Sequence, residues 1–185
     1  MNTALIDAAC ELIPEVGWGS VTTRGVAARA GVRPGLVHYH FDSVEALLVV
    51  AATRAADGLV DEVRDVLADA PDIASGIDVL VATTAAVGDR GPARLLLTEA
   101  SLAAARIPDL RVALTASLAD LRTVLATWLR HRGHDGDADA TAAVITAALD
   151  GWALHRAADR SLDVTPFRNG LRTLATVGPE GSGPE

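Results

Sequence analysis

The sequence predicts an all-α protein of about nine helices, short near the N-terminus and longer beyond it. Three observations carry this. Apolar residues recur at steps of three and four along nearly the whole chain, and no alternating run is long enough to support a sheet. Leu110, Leu114, Leu118, Leu121, Leu125 and Leu129 lay one stripe along a helix, and Leu47, Ala51, Ala55, Leu59, Val63 and Leu67 lay another. Breakers divide these stretches at Gly17 to Gly19, Gly31, Pro71, Gly91 with Pro92, Pro108, Gly133 to Gly136, and Pro166.

Composition supports a folded chain. Half of the 185 residues are hydrophobic and 22% are charged, and a chain this long buries roughly 70% of its unfolded surface without a disulfide or metal staple. The single cysteine, Cys10, excludes an internal disulfide and a Cys-rich zinc or redox site, and suits a reducing cytoplasm. Charge-free stretches reach only about ten residues, half of a membrane span, so no membrane partner is expected. All 16 cationic side chains are Arg, against 24 Asp and Glu, for a net charge of -8. Contact with a polyanion would therefore rest on local placement of a few arginines.

Taken in order, residues 1–48 read as short helices around a small core, holding Trp18, Tyr39 and Phe41 of the six aromatics. Pro14 should end or kink the first helix near its last turn. The stretch VTTRGVAARAGVRPGLVHYHF, Val21 to Phe41, reads as helix, turn, helix. Thr22 can cap the first of these through an amide near Arg24 or Gly25. Gly31 supplies the left-handed turn residue. Val26, Ala27 and Ala30 form the inner face, Val32 plugs the turn, and Val37 with Phe41 closes the second helix onto the first. Pro34 fits the first turn of that helix. A helix-turn-helix presents the start of its second helix to the major groove, which puts Arg33, Pro34, Gly35 and His38 nearest base edges. Residues 49–177 form the long-helix region, rich in Ala and Leu, and residues 178–185 read as a frayed tail.

The Val21–Phe41 segment, with LIDAACELIPEVGWGSVTTR before it and FDSVEALL after it, resembles the DNA-binding module of TetR-family bacterial transcriptional regulators. The resemblance covers Leu5 to Leu48. LLLTEASLAAARIPDLRVAL, Leu95 to Leu114, and ALDGWALHR, Ala148 to Arg156, are similar in outline to later helices of that family. It implies a homodimeric regulator, a repressor more often than an activator, whose N-terminal helix-turn-helix domain reads a palindromic double-stranded DNA operator. A helical effector-binding and dimerisation domain would occupy residues 49–177. No catalytic activity and no cofactor are implied.

By position, the resemblance sets Thr22, Thr23 and Arg24 on phosphates, with Ser43 and the helix start beside it as a further contact. Arg33 would donate two hydrogen bonds to a guanine edge, Gly35 would let the backbone approach, and Leu36 would touch a thymine methyl. Tyr39 and His40 would hold the sugar-phosphate backbone. His38 stands where the family commonly has Tyr, so its contact can differ between neutral and charged imidazole. Val44 replaces a frequent Lys. Within residues 1–48 the three arginines 24, 29 and 33 face five carboxylates, leaving -2. Six arginines per dimer bound the salt slope at about -5.

The effector side is weaker. Thr98, Glu99, Ser101, Trp128, Trp152 and His155 are candidates to line a pocket for a small molecule. Val144, Ala147, Ala148, Gly151, His155, Leu171 and Leu174 are candidates for the dimer seam. Asp135, Asp137 and Asp139 resemble the opening of a calcium loop, but Ala140 and Thr146 stand where its Gly and Glu belong, so a polar connection without metal is expected. A dimeric ligand-binding scaffold that has lost DNA binding is the alternative from another functional class.

Overall fold

The computed structural model describes residues 2–86 and 91–176. They form nine α-helices and one short 3-10 turn, with no strand among the described residues. The all-α expectation holds. The expected tail from residue 178 lies outside the described residues.

Helix α1, Asn2–Val16, buries Leu5, Ala8, Ala9 and Ile13 at helical spacing. It ends two residues after Pro14, where Gly17 takes φ +81° and its amide donates to Ile13 O at 2.9 Å. A 3-10 turn, Trp18–Ser20, leads into α2, Thr23–Arg29, and α3, Gly35–His40. Helix α4, Val44–Ala68, is capped by Ser43, whose hydroxyl accepts from the Ala46 amide at 3.0 Å. Asp72 caps α5, Ile73–Ala86, by accepting from the Ser75 amide at 2.7 Å. Pro92 opens α6, Pro92–Ala104, where a missing N–H costs nothing. Helix α7 spans Pro108–His131, α8 spans Ala138–Ala158 behind an Asp137 cap, and α9 spans Val164–Thr176.

The chain divides into two compact units: Met1–Leu59 with Arg90–Leu118, and Val60–Asp89 with Ala119–Glu185. In the first, α1 packs against α2 and α6. Leu5, Ile13, Val26, Val37, Leu47, Leu96 and Leu110 share one core, so α6 and the start of α7 complete the packing around residues 1–48. In the second, α5 and α9 pack closely, with α8 against both. Leu67, Ile77, Leu125, Leu129, Ile145 and Leu171 form its core.

The second unit is fastened by contacts far apart in sequence. The Arg172 guanidinium on α9 grips both oxygens of Asp78 on α5. His134 lies between Ala175 O at 2.8 Å and the Thr141 hydroxyl at 3.0 Å. Trp128 lies against Gly76 so closely that a Cβ there would fall 2.2 Å from the ring. By length and apolarity alone α7 could cross a bilayer, which charge-free runs did not flag; its Leu110, Leu125, Ala126 and Leu129 are buried in the two cores. Asp137 and Asp139 have structural uses: the first caps α8 and the second pairs with Arg130.

Candidate nucleic-acid interface

The turn between α2 and α3 is fixed by backbone chemistry. Gly31, at φ +69°, donates to Ala28 O, and Val32 donates to Ala27 O at 2.9 Å, the paired pattern of a helix stop with a left-handed residue. Val32 then packs on the core beside Ala27, which seats Pro34 as the residue before α3. Val26, Ala27 and Val37 are buried between the helices, while Ala30, Val32 and Phe41 are half-buried around them. Short α3 therefore anchors in the core through Val37 and leaves its other side exposed.

Arg33, Pro34, Gly35, His38 and Tyr39 are exposed on that side, Tyr39 at 80% of its surface, and Leu36 is half-buried. A Cβ at Gly35 would meet nothing within 4 Å, so the backbone there is open to approach. His40 differs from the others. Its Nε2 is turned inward without a hydrogen-bond partner, and its ring meets the Tyr39 ring edge-on with centroids 5.0 Å apart. Part of the imidazole is thus committed to packing.

Two helix starts flank this surface. The Thr22 hydroxyl accepts from the Gly25 amide at 3.1 Å, as expected, and Ser43 does the same for α4. A hydroxyl that accepts in this way keeps its own proton, so both can still donate to a phosphate oxygen. Thr23 is half-buried beside exposed Arg24.

The arginines divide in a way the sequence did not disclose. Arg29 donates to Glu11 Oε2 at 3.1 Å and to both oxygens of Glu15, at 3.0 and 2.5 Å. Its guanidinium is held above its usual range by the Glu15 and then the Glu11 hydrogen bonds, and the Glu15 carboxyl is held below its own by Arg29. Arg29 thus clasps α2 to α1. Glu11 and Glu15 lie four residues apart on one helix face, and that spacing was the available signal. Arg24 and Arg33 have no ion pair or hydrogen bond among the described residues, leaving two free cations per head.

The expected effector residues separate. Thr98, Glu99 and Ser101 belong to the first unit, Trp128, Trp152 and His155 to the second. Thr98 and Ser101 donate their hydroxyl protons to Arg94 O and Leu97 O within α6, and Glu99 accepts from the Trp18 amide. Thr98 and Ser101 thus bond within their own helix, and Glu99 bonds to the turn before α2. Trp128 and Trp152 are buried, Trp152 stacked on Phe167 with centroids 5.4 Å apart, while His155 is exposed. Of the expected seam, Val144, Ala147 and Leu174 are exposed, and Gly151 is half-buried with open space beyond it. Leu171 is a correction: it is spent inside the core, and Ala148 packs against the same core.

A Thr-capped α2, a glycine-stopped turn with free Arg33 at its end and an α3 exposed on one side define a helix-turn-helix DNA-binding protein with an all-helical body. Residues 5–51 match the model for bacterial regulatory proteins of the tetR family, and residues 69–177 match that for the tetracyclin repressor-like C-terminal domain. The chain belongs to the TetR family of transcriptional regulators.

Its relatives agree. It is 32% identical over 83 residues to the HTH-type transcriptional repressor KstR2 of Rhodococcus jostii strain RHA1, a match covering 45% of this chain and 41% of that protein. The matched segment therefore spans about two fifths of that relative's length. The crystal structure of SCO7518 from Streptomyces coelicolor A3(2), a candidate transcriptional regulator, superposes with a TM-score of 0.80 at 26% identity. That match covers 95% of this chain and 98% of the other. Bacillus subtilis FadR, solved in complex with stearoyl-CoA, shares the fold with a TM-score of 0.75 at 16% identity, over 97% of this chain and 100% of that one.

Proposed function

We propose that the protein is a homodimeric repressor in the bacterial cytoplasm that reads a palindromic operator and is released by a small molecule. The observation that carries the DNA reading is the pair of uncommitted arginines, Arg24 and Arg33, set on the exposed side of a capped helix-turn-helix. Arg33 is assigned to a guanine edge and Arg24, Thr22, Thr23 and Ser43 to phosphates. Pro34 and Gly35 keep the approach open, Leu36 meets a thymine methyl, and His38, Tyr39 and His40 meet the strand beyond.

Exposed Val144, Ala147 and Leu154 share one face of α8 with Gly151, and they support pairing of two copies through α8 and α9. Such a pair would set the two heads about 34 to 36 Å apart, one helical turn of duplex. An effector in the C-terminal unit has a chemical argument. Trp128 Nε1, Trp152 Nε1, Arg156 Nη1 and Arg168 Nε are all buried there without partners. All four are donors, so a ligand that opened the bundle and offered acceptor oxygens would satisfy them.

The test is a selection of duplexes from a random pool, followed by footprinting and light scattering. A palindromic sequence bound by a dimer, with affinity reduced in Arg33→Ala, is the expected result. A folded dimer that selects no sequence at low salt would mark a scaffold instead, and a monomer under all conditions would overturn the seam.

A further inference from the structure

We propose that Glu99 is a positioning residue for operator binding: its carboxylate on α6 holds the turn through which the chain enters the helix-turn-helix. The inference rests on the DNA-binding reading above and adds a residue to it.

The 3-10 turn Trp18–Ser20 has no local side-chain cap, and Gly17 before it takes φ +81°. Its leading amide, Trp18 N–H, donates instead to Glu99 Oε2 at 3.0 Å, 81 residues away. A Cβ on Gly17 would lie only 3.7 Å from the same oxygen, so carboxylate and turn are in close contact. Beyond the turn the path to DNA is short and stiff. Ser20 donates to Gly17 O at 3.1 Å, Val21 is buried, and Thr22 caps α2.

On its other side, Glu99 is built into α6 among Leu96, Ala100 and Ala103, all buried in the core that α1 shares. The carboxylate is thus the one polar tie from α6 to this turn among the described residues, set beside an apolar contact. Apolar contact fixes how close α6 lies to α1, and a directional, charge-assisted hydrogen bond fixes where the turn sits along it. A displacement of α6 would then reach Thr22, Thr23 and Arg24 through a turn of three residues. Coupling of this kind is reciprocal, so operator binding at the head must be felt in α6.

Reciprocity supplies a test that needs no effector. Amide hydrogen exchange is followed in free protein and in protein bound to a duplex selected as above, for wild type, Glu99→Ala and Glu99→Gln. The expected wild-type result is slowed exchange on operator binding at Trp18 and across Pro92–Ala104. In Glu99→Ala, free Trp18 should exchange about tenfold faster, and the slowing in α6 should vanish while that in α3 persists. Glu99→Gln, which still offers a carbonyl acceptor, should restore both. Retention of the α6 response in Glu99→Ala, or an unchanged Trp18 amide, would overturn the inference and leave the DNA reading standing. If Glu99→Ala does not fold, Glu99→Asp, with its carboxylate withdrawn by one methylene, is read by the same two criteria. A wild type that binds no duplex overturns both.

Discussion

The helix-turn-helix and the C-terminal unit are fixed by different kinds of contact. In the first, the contacts of the caps and the turn are local: the Thr22 hydroxyl on the Gly25 amide, Gly31 on Ala28, Val32 on Ala27, Ser43 on Ala46, with Glu99 on Trp18 the distant tie at its entry. In the second they are distant: Arg172 with Asp78, His134 with Ala175, and Trp128 against Gly76. Local contacts specify a geometry that a short segment carries wherever it is placed, which suits a surface that must match a fixed DNA groove. Distant contacts leave the shape of the interior to be decided by packing, which suits the effector-binding role proposed for this unit.

The largest expected effect lies on the head. Arg33→Ala should cost about 2 kcal/mol in each half-site, close to a thousandfold over a palindrome, without changing thermal stability. Arg29→Ala should leave the salt dependence alone, because Arg29 is held by Glu11 and Glu15. With only Arg24 and Arg33 free in each head, a dimer's log-affinity against log-salt slope should be no steeper than about -3.6, and about -1.8 if Arg33 spends its charge on the guanine edge alone, below the bound of about -5 that all three arginines allow. A slope unchanged by Arg24→Ala but reduced by Arg29→Ala would reverse the assignment.

Next comes the second unit's packing. Gly76→Ala drives a methyl into the Trp128 ring and should destabilise by about 2 to 3 kcal/mol, as overpacking in a core does, despite the better helix propensity of Ala. Trp128→Leu should relieve part of that penalty, so the double variant is more stable than the sum of the singles predicts. Additive effects, measured by urea unfolding, would mean that the two residues do not oppose each other.

The same contrast decides what could be read in advance. Thr22, Gly31, Pro34 and Ser43 are legible because each does its work within three or four residues, where capping and turn chemistry are strong signals. The helical stripes were legible too, since Leu110, Leu125 and Leu129 are buried as their spacing implies. Nothing near Glu99 in sequence shows that its carboxylate accepts from Trp18. Leu171 was placed on the outside because a helix with apolar residues on more than one side does not announce which side faces the core. The spacing of Glu11 and Glu15 signals a place for one guanidinium, but which of the three arginines reaches it is set by how α2 packs on α1.

A smaller effect sharpens the local side of the comparison. Thr22→Ala removes the acceptor for the Gly25 amide and should cost about 1 kcal/mol. Thr22→Ser should recover most of it. If the cap acts only on stability, operator affinity of the folded Ala variant stays the same; if the hydroxyl proton also meets a phosphate, affinity falls in Ala and returns in Ser. A binding isotherm beside a melting curve separates the two.

The smallest effect belongs to acid. Among the described residues, four carboxyls are held below their usual range, and three of these, Asp72, Asp159 and Asp163, lie in the C-terminal unit. The main causes are the Ser75 amide on Asp72, the Ser161 hydroxyl on Asp159 and the Thr165 amide on Asp163. A carboxyl whose pKa is lower folded than unfolded contributes stability above the unfolded value, here 3.8, and loses it as pH falls through the folded one. Stability should therefore be flat from neutral pH down to about 5 and decline below 4, with amide exchange rising first in α5 and α9. Replacing all three by Asn keeps an acceptor at each turn but removes the titration. That variant should be slightly less stable than wild type at pH 7 and converge with it near pH 2. Parallel curves across that range would show that these turns hold their charge no more tightly than the unfolded chain does.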